Sequence, residues 1–466
     1  MARRKLTSQQ KKVISQFRGL GVLIFTGLLL LFGFIGLLIP LRPTVSEVEN
    51  RTLTEFPAFD LSDFVSGTYF KNISTWYSDT FPLRDSMISA NQKITALYGF
   101  KGDEQVVGTD IAADEIPDVA SVLDTSALAE TETTETAETA DATQTTTGTQ
   151  SQVGNGEATL PDSYKMEEEV QNQIQKRLYV KDGAAYTVYG FDQSAADIYI
   201  KALSNAATKL SGTANVYSIL VPLNSGVMLD ETTLNSLGGS DQQQTIDYYY
   251  NSYQGVTPIE TIRILREHNN EYLYFRTDHH WTALGAYYAY TNFCEAKGWT
   301  PNQLSSFETM EFSPFLGTYY TKLEKPAEMA ANPDSVTAYI PHGTNSMTYT
   351  DKNNETHEWN VIRDVSARSE GSGYATFIAG DNPMAVIENP NVTDGSSCLV
   401  LKESYGNCFV PFLVDHYSKI YIVDFRYATV NVADYVLQNN INDLIVINNI
   451  GIINSESVAT TIQGLL

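Results

Sequence analysis

The chain is 466 residues long, enough for one large domain or two ordinary ones with a sizeable core. It carries 30 Lys and Arg against 55 Asp and Glu, a formal net charge of −25, and a surface of that sign repels phosphate, which argues against nucleic acid as a partner. The three cysteines, Cys294, Cys398 and Cys408, are too few and odd in number for a disulfide framework, and no CxxC pair suggests a zinc site.

Residues 1–18 form a basic tail with Arg3, Arg4, Lys5, Lys11, Lys12 and Arg18 and no acid. Residues 19–41 are an uncharged run of 23 residues, the length of a transmembrane helix. Arg42 is followed by Glu47 and Glu49, so the charge asymmetry predicts a single-pass protein with a cytoplasmic N-terminus and everything after residue 42 outside. Two alternatives are a cleaved signal peptide, against which the apolar core is long and lacks an A-x-A site, and a buried core helix. Residues 42–102 mix turn signals with periodic apolar positions. The pattern predicts a helical juxtamembrane segment that packs on the main domain, mainly helical from Phe64 to Tyr98 with a break at Pro82.

Composition then shifts. Residues 103–162 hold 14 Asp or Glu and no Lys or Arg, and 10 of the 19 residues from Thr131 to Thr149 are threonine. Such a segment buries little apolar surface and repels itself, which predicts a disordered acidic insert. Residues 163–466 alternate helix-like and strand-like segments, the pattern of an α/β domain with a central, mostly parallel sheet flanked by helices. Val216–Val221, Tyr272–Phe275, Cys398–Leu401, Lys419–Val423 and Leu444–Ile447 are short apolar runs that suit doubly covered strands, and Ala195–Leu210 is an amphipathic helix. Ligands of open α/β sheets bind beyond the carboxyl ends of the strands, so the residues after each run are the informative ones.

After Phe275 comes Arg276-Thr277-Asp278-His279-His280-Trp281-Thr282, then a helix from Ala283 to Lys297 closed by Gly298. The Asp-x-His spacing lets Asp278 accept the Nδ1 proton of His280 and leaves Nε2 as a general base. The alternatives are ordinary turn histidines, or a metal site that would need a third well-placed ligand. After Leu401 comes Lys402-Glu403-Ser404-Tyr405-Gly406-Asn407. A serine on a strand-to-helix turn exposes its hydroxyl above the sheet, although a serine there also serves as an N-cap, and Cys408 is a competing nucleophile. Asn224 follows the first strand and is placed to help bind an oxyanion or to satisfy its own loop; Asn448 and Asn449 admit the same two readings.

Four strings carry a resemblance: YFRTDHHWTALGAYYAY, LVLKESYGNCFVPFLVDHY, SEVENRTLTEFP and DTFPLRD. They closely resemble the DHHW family of bacterial surface proteins, which is similar to the SGNH-hydrolase-like group that includes the alginate O-acetyltransferases. The resemblance implies an SGNH-hydrolase-like domain over 163–466, with Asp278 as orienting acid, His280 as base, Ser404 as nucleophile, an acyl-serine intermediate, and neither metal nor cofactor. Arg276, His279 and Tyr405 lie within the matched strings and, with Asn224 from its place after the first strand, are candidate contacts to substrate or oxyanion. Arg276 would otherwise pair with an acid, and Tyr405 would pack beneath the turn. Where the family usually has Asp-Ser-Tyr, this chain has Glu403-Ser404-Tyr405. The function implied is a membrane-anchored extracytoplasmic serine O-acyltransferase, O-acetyl in kind, or an esterase. Its partners would be cell-surface polysaccharide, a multi-spanning membrane acyltransferase as acyl donor, and the bacterial cell membrane through residues 19–41. The alternative is a non-catalytic envelope scaffold or polysaccharide-binding subunit.

Overall fold

Residues 175–466 other than 369 are described in the computed structural model, with shorter stretches before them: 27, 42–43, 45–46, 51–52, 54, 56–59, 64, 68–82, 104–109, 111, 113–117, 166 and 170. The chain divides into two compact units, Met1–Lys101 and Gly102–Leu466.

In the first unit, β1 (Val45–Ser46) pairs antiparallel with β2 (Arg51–Thr52), and a helix spans Thr68–Asp79. The helix stops three residues before Pro82, as expected where a proline disfavours helical geometry in the residue before it. The Arg42 guanidinium lies over the Trp76 ring at 3.9 Å, a cation–π contact. The rest of the helical stretch expected from Phe64 to Tyr98 lies outside the described residues.

The membrane-spanning helix expected at 19–41 is not borne out. Among the described residues no helix is long and apolar enough to cross a membrane, and the segment itself, Gly27 apart, lies outside the described residues. An apolar run of sufficient length meets a necessary condition for spanning, but apolarity alone does not choose between lipid and protein as the surrounding medium. The single-pass topology, the cell-membrane location, the anchored function, the membrane as partner and the multi-spanning acyltransferase all depended on that helix.

The second unit starts with a three-stranded antiparallel sheet of β3 (Glu104–Gly108), β4 (Arg177–Lys181) and β5 (Ala184–Thr187). The strand β3 corrects the insert expected over 103–162. Val106 and Val107 supply β-branched side chains opposite Tyr179 and Leu178, and that long-range pairing outweighs the acidic surroundings. Most of 110–162 lies outside the described residues.

The remaining strands in chain order are β6 (Asn215–Val221), β7 (Val256–Ile259), β8 (Glu308–Phe315), β9 (Asp334–Ile340), β10 (Ser346–Thr350), β11 (Thr356–Asn360), β12 (Met384–Glu388), β13 (Ser397–Lys402), β14 (Lys419–Asp424) and β15 (Asp443–Asn449). Apart from the antiparallel pair β8–β9, they form one eight-stranded sheet of order β11-β10-β12-β14-β13-β15-β6-β7. From β14 to β7 every pairing is parallel, whereas β12, β10 and β11 continue the sheet antiparallel, so the sheet is mixed rather than mostly parallel. Four of the five predicted strands are present; Tyr272–Phe275 is not one of them. That run makes a single bridge, Tyr274 to Trp281, because its chain turns back on itself at the following loop.

Every residue of β13 and β15 is buried. Burying each interior aliphatic side chain of these two strands contributes roughly 1.5–3 kcal/mol, which anchors the sheet centre. The chain leaves β13 for β14 on one side and returns to β15 on the other. The carboxyl end of β13 is therefore the point where the strand order reverses, the place where open α/β sheets bind ligands.

Candidate active site

Two turns meet above β13. At the first, Glu403 is extended (φ −115, ψ −167) and caps a 3₁₀ turn over Ser404–Cys408. Gly406 allows the turn to close, since a Cβ there would stand 2.6 Å from the Lys402 Cβ. The fully buried Glu403 carboxylate accepts from the Tyr405 N–H at 2.8 Å and from the Asn449 N–H at 2.9 Å, tying the turn to the end of β15. Burial pushes its carboxyl above the usual range, against the pull of those two N–H groups.

The second turn is the Asp-His-His-Trp loop. The Phe275 N–H donates to the His280 carbonyl, and the Thr282 N–H to the Leu273 carbonyl. Thr282 then caps the helix Ala283–Lys297, which ends at left-handed Gly298 as the sequence predicts. The buried Asp334 of β9 anchors the loop: it accepts from the Thr277 N–H at 2.7 Å, the Thr277 hydroxyl at 2.6 Å and the Arg276 N–H at 3.1 Å. Trp281 Nε1 donates to the Tyr405 carbonyl at 2.9 Å and the Tyr405 hydroxyl to the His279 carbonyl, joining this loop to the serine turn.

Between the turns lies a continuous hydrogen-bonded chain. Asp278 Oδ1 stands 2.5 Å from His280 Nδ1, and His280 Nε2 stands 2.8 Å from Ser404 Oγ. Asp278 also accepts from its own loop, the His280 N–H at 3.0 Å, and from the Thr318 N–H at 2.8 Å. Burial works to raise the Asp278 carboxyl, but the imidazoles of His280 and His279 and these hydrogen bonds outweigh it and hold the group well below the ordinary range. With Asp278 ionised, the proton of His280 resides on Nδ1 and Nε2 accepts from the serine hydroxyl. All three side chains are buried or nearly so.

A scan against family models matches residues 49–423 to the family described as DHHW protein. The chain belongs to the DHHW family. A crystal structure of a DHHW family protein from Eubacterium siraeum is similar at 29% identity, with a TM-score of 0.56 over 62% of this chain and 94% of that one. Two structures of Bacillus cereus PatB1 share the fold at 21% identity. One has a TM-score of 0.53 over 60% of this chain and 98% of PatB1; the other, with a sulfonyl adduct, has 0.50 over 59% and 93%. No curated protein matches the chain significantly. The family expected from the motifs is thus the one found.

In this DHHW chain the other candidate residues have particular places. Arg276 is 35% exposed and pairs with Asp334 through Nε at 3.1 Å. Tyr405 is wholly buried beneath the serine turn. Asn224 accepts from the Thr187 N–H at 3.0 Å and donates to the Ala185 carbonyl at 2.8 Å, so both ends of its amide brace β5. His279 is buried, with Nδ1 2.7 Å from Thr318 Oγ1 and no partner for Nε2 among the described residues. Burial, followed by the neighbouring His280, pushes its imidazole down to about 3, so it is neutral. Asp278, His279 and His280 each offer an atom within 4.8 Å of the others, the grouping a metal would require. Both nitrogens of His280 are engaged by Asp278 and Ser404, the arrangement of a proton relay. Cys408 is buried and its thiol is pushed up to about 12 by burial, which leaves it un-ionised and a poor nucleophile.

Sequence reasoning missed three neighbours. Asp334 lies 57 residues beyond Thr277 on another strand. A buried ionic cluster forms at the ends of β13 and β14, where Lys402 contacts Asp424 at 2.9 Å and Asp381 at 3.0 Å, and Arg426 contacts both acids. Asn407 joins it through Asp381 at 3.0 Å. The third is Tyr374, whose ring stacks on His280. The one available signal was charge at apolar strand ends, in Lys402 and Asp424; nothing in the sequence singled out Tyr374.

Proposed function

We propose that the chain is a serine-dependent acyltransferase or esterase that works through an acyl-Ser404 intermediate. The Asp278–His280–Ser404 chain, with contacts of 2.5 and 2.8 Å, is the observation that carries this reading. Ser404 Oγ attacks the acyl carbonyl of an ester donor as His280 Nε2 takes the hydroxyl proton, and Asp278 steadies the imidazolium through Nδ1. His280 returns that proton to the leaving alkoxide. An acceptor hydroxyl then loses its proton to His280 and attacks the acyl carbon, and His280 passes that proton to the departing Ser404 Oγ. A sugar hydroxyl as acceptor gives the transferase, and water gives the esterase. The resemblance to polysaccharide-modifying enzymes favours a glycan acceptor. His279 Nε2, beside the His280 ring, is a buried polar atom without a partner among the described residues, and a bound substrate would satisfy such a group.

The test is acetylation of the full chain by 4-nitrophenyl acetate, followed by nitrophenol release and intact mass. Phenylmethylsulfonyl fluoride serves as a second probe, chosen because a PatB1 structure carries a sulfonyl adduct. Acetyl or sulfonyl mass on the wild type and none on Ser404→Ala is the expected result. Equal labelling of Ser404→Ala would overturn the reading.

A further inference from the structure

Tyr374 lies on the 3₁₀ turn Glu370–Thr376, between β11 and β12. Gly373 lets this turn approach the β8–β9 pair, since a Cβ there would stand 3.1 Å from Val336 and 3.3 Å from Phe315. Phe377 and Phe275 hold the Tyr374 ring edge-on, with centroids at 5.2 and 6.1 Å. Its face lies flat on the imidazole of His280, centroids 4.0 Å apart and planes 10° from parallel. Its hydroxyl donates to the Ser404 carbonyl at 3.0 Å and lies 3.3 Å from Cys408 Sγ. One buried side chain thus touches both the ring of the base and the backbone of the nucleophile.

The other groups around His280 are Asp278 at Nδ1, Ser404 at Nε2, the tilted His279 ring at 3.8 Å, the Tyr405 ring at 5.2 Å, and Glu403 behind the serine. Among the described residues Tyr374 is the ring that lies parallel to the imidazole. The electron-rich face of a phenol ring attracts a cation far more than a neutral ring. When Ser404 gives its proton to Nε2, the positive charge spreads over the ring directly under that face. A contact that strengthens as the charge develops accelerates the step rather than merely binding the ground state.

We propose that Tyr374 is a positioning residue that favours the imidazolium form of His280 through its ring face and holds the Ser404 turn through its hydroxyl. This rests on the acyl-transfer reading above.

The experiment measures acetylation of the full chain by 4-nitrophenyl acetate from pH 5 to 9, with thermal unfolding to establish that each variant is folded. Neutral His280 is the active base, so stabilising its cation moves the half-maximal pH upward, and removing that stabilisation moves it down. Tyr374→Phe keeps the face and loses the bond to the Ser404 carbonyl. Its half-maximal pH should stay at the wild-type value while the plateau rate falls about three- to tenfold. Pentafluorophenylalanine at position 374 keeps the packing but reverses the polarity of the face. Relative to Phe, its half-maximal pH should drop by about half a unit or more and its plateau by at least about threefold. Tyr374→Met, which has no ring, should shift in the same direction and replaces the fluorinated protein if that fails to fold. A variant without the electron-rich face that matches Phe in both half-maximal pH and rate would overturn the proposal. Ser404→Ala separates the two readings. Acetylation that survives it refutes the nucleophile itself, whereas acetylation that needs Ser404 but ignores the face at 374 refutes only the role of Tyr374.

Discussion

Gly317 offers the sharpest structural test of the site. Its backbone is extended (φ −93, ψ −153), so no left-handed conformation requires glycine there. Space does. A Cβ at 317 would fall 2.2 Å from Asp278 Oδ2, 2.3 Å from its Cβ and 2.6 Å from its Cγ. Non-bonded carbon and oxygen need roughly 3.3 Å, so Asp278 would have to retreat by about 1 Å. That retreat stretches the Oδ1–Nδ1 contact from 2.5 Å to about 3.5 Å, beyond a working hydrogen bond. Gly317→Ala is therefore expected to slow acetylation of Ser404 about 100-fold and to destabilise the fold by about 1–3 kcal/mol through overpacking. Gly298→Ala is the contrasting control, because Gly298 has φ +68 and an added methyl there would meet nothing within 4 Å. It should cost about 1 kcal/mol in stability and leave the rate unchanged. Urea denaturation gives the first quantity and time-resolved intact mass the second. A Gly317→Ala protein that acetylates at the wild-type rate would refute the claim that Asp278 must stand where it does.

Three further outcomes are expected. Asp278→Asn should lower acetylation about 10⁴-fold by favouring the wrong His280 tautomer. Because the folded-state carboxyl of Asp278 is held below its unfolded value, it contributes stability above about pH 4 that is lost as pH falls; stability measured against pH should therefore fall less steeply below pH 4 in Asp278→Asn. Glu403→Ala strips the acceptor from two backbone N–H groups and should cost about 2–4 kcal/mol in urea denaturation. Arg276→Ala takes one charged partner from the buried Asp334 carboxylate, which keeps its bonds from Thr277 and the Arg276 N–H, and should cost about 1–3 kcal/mol while leaving acetylation intact, whereas Asp334→Ala, which releases the Arg276 and Thr277 N–H groups together, should lower both. Loss of acetylation in Arg276→Ala with stability unchanged would instead mark that side chain as a substrate contact.

Much of this arrangement was legible in the residues. Val216–Val221, Cys398–Leu401, Lys419–Val423 and Leu444–Ile447 became β6, β13, β14 and β15 because each is a short apolar run covered on both faces. Thr282 and Gly298 mark the ends of one helix by capping chemistry that is local to the chain. Tyr272–Phe275 is equally apolar, yet it turns back at the loop held by Asp334 instead of joining the sheet. Tertiary anchoring there overrides local propensity. Val106 and Val107 form a strand inside acidic surroundings for the converse reason, since their partners Tyr179 and Leu178 lie far along the chain.

The sequence alone determined the family, the α/β alternation and the two turns that present Asp278, His280 and Ser404. These depend on neighbouring residues and on periodicity, which are properties of the chain as written. Tertiary structure decided what fills the space around them. It set the antiparallel half of the sheet, gave Arg276 to Asp334 and Asn224 to β5, placed Glu403 between Tyr405 and Asn449, and laid Tyr374 across His280. Contacts of that kind join positions dozens of residues apart, and only packing of the folded chain selects which of the many compatible partners meet.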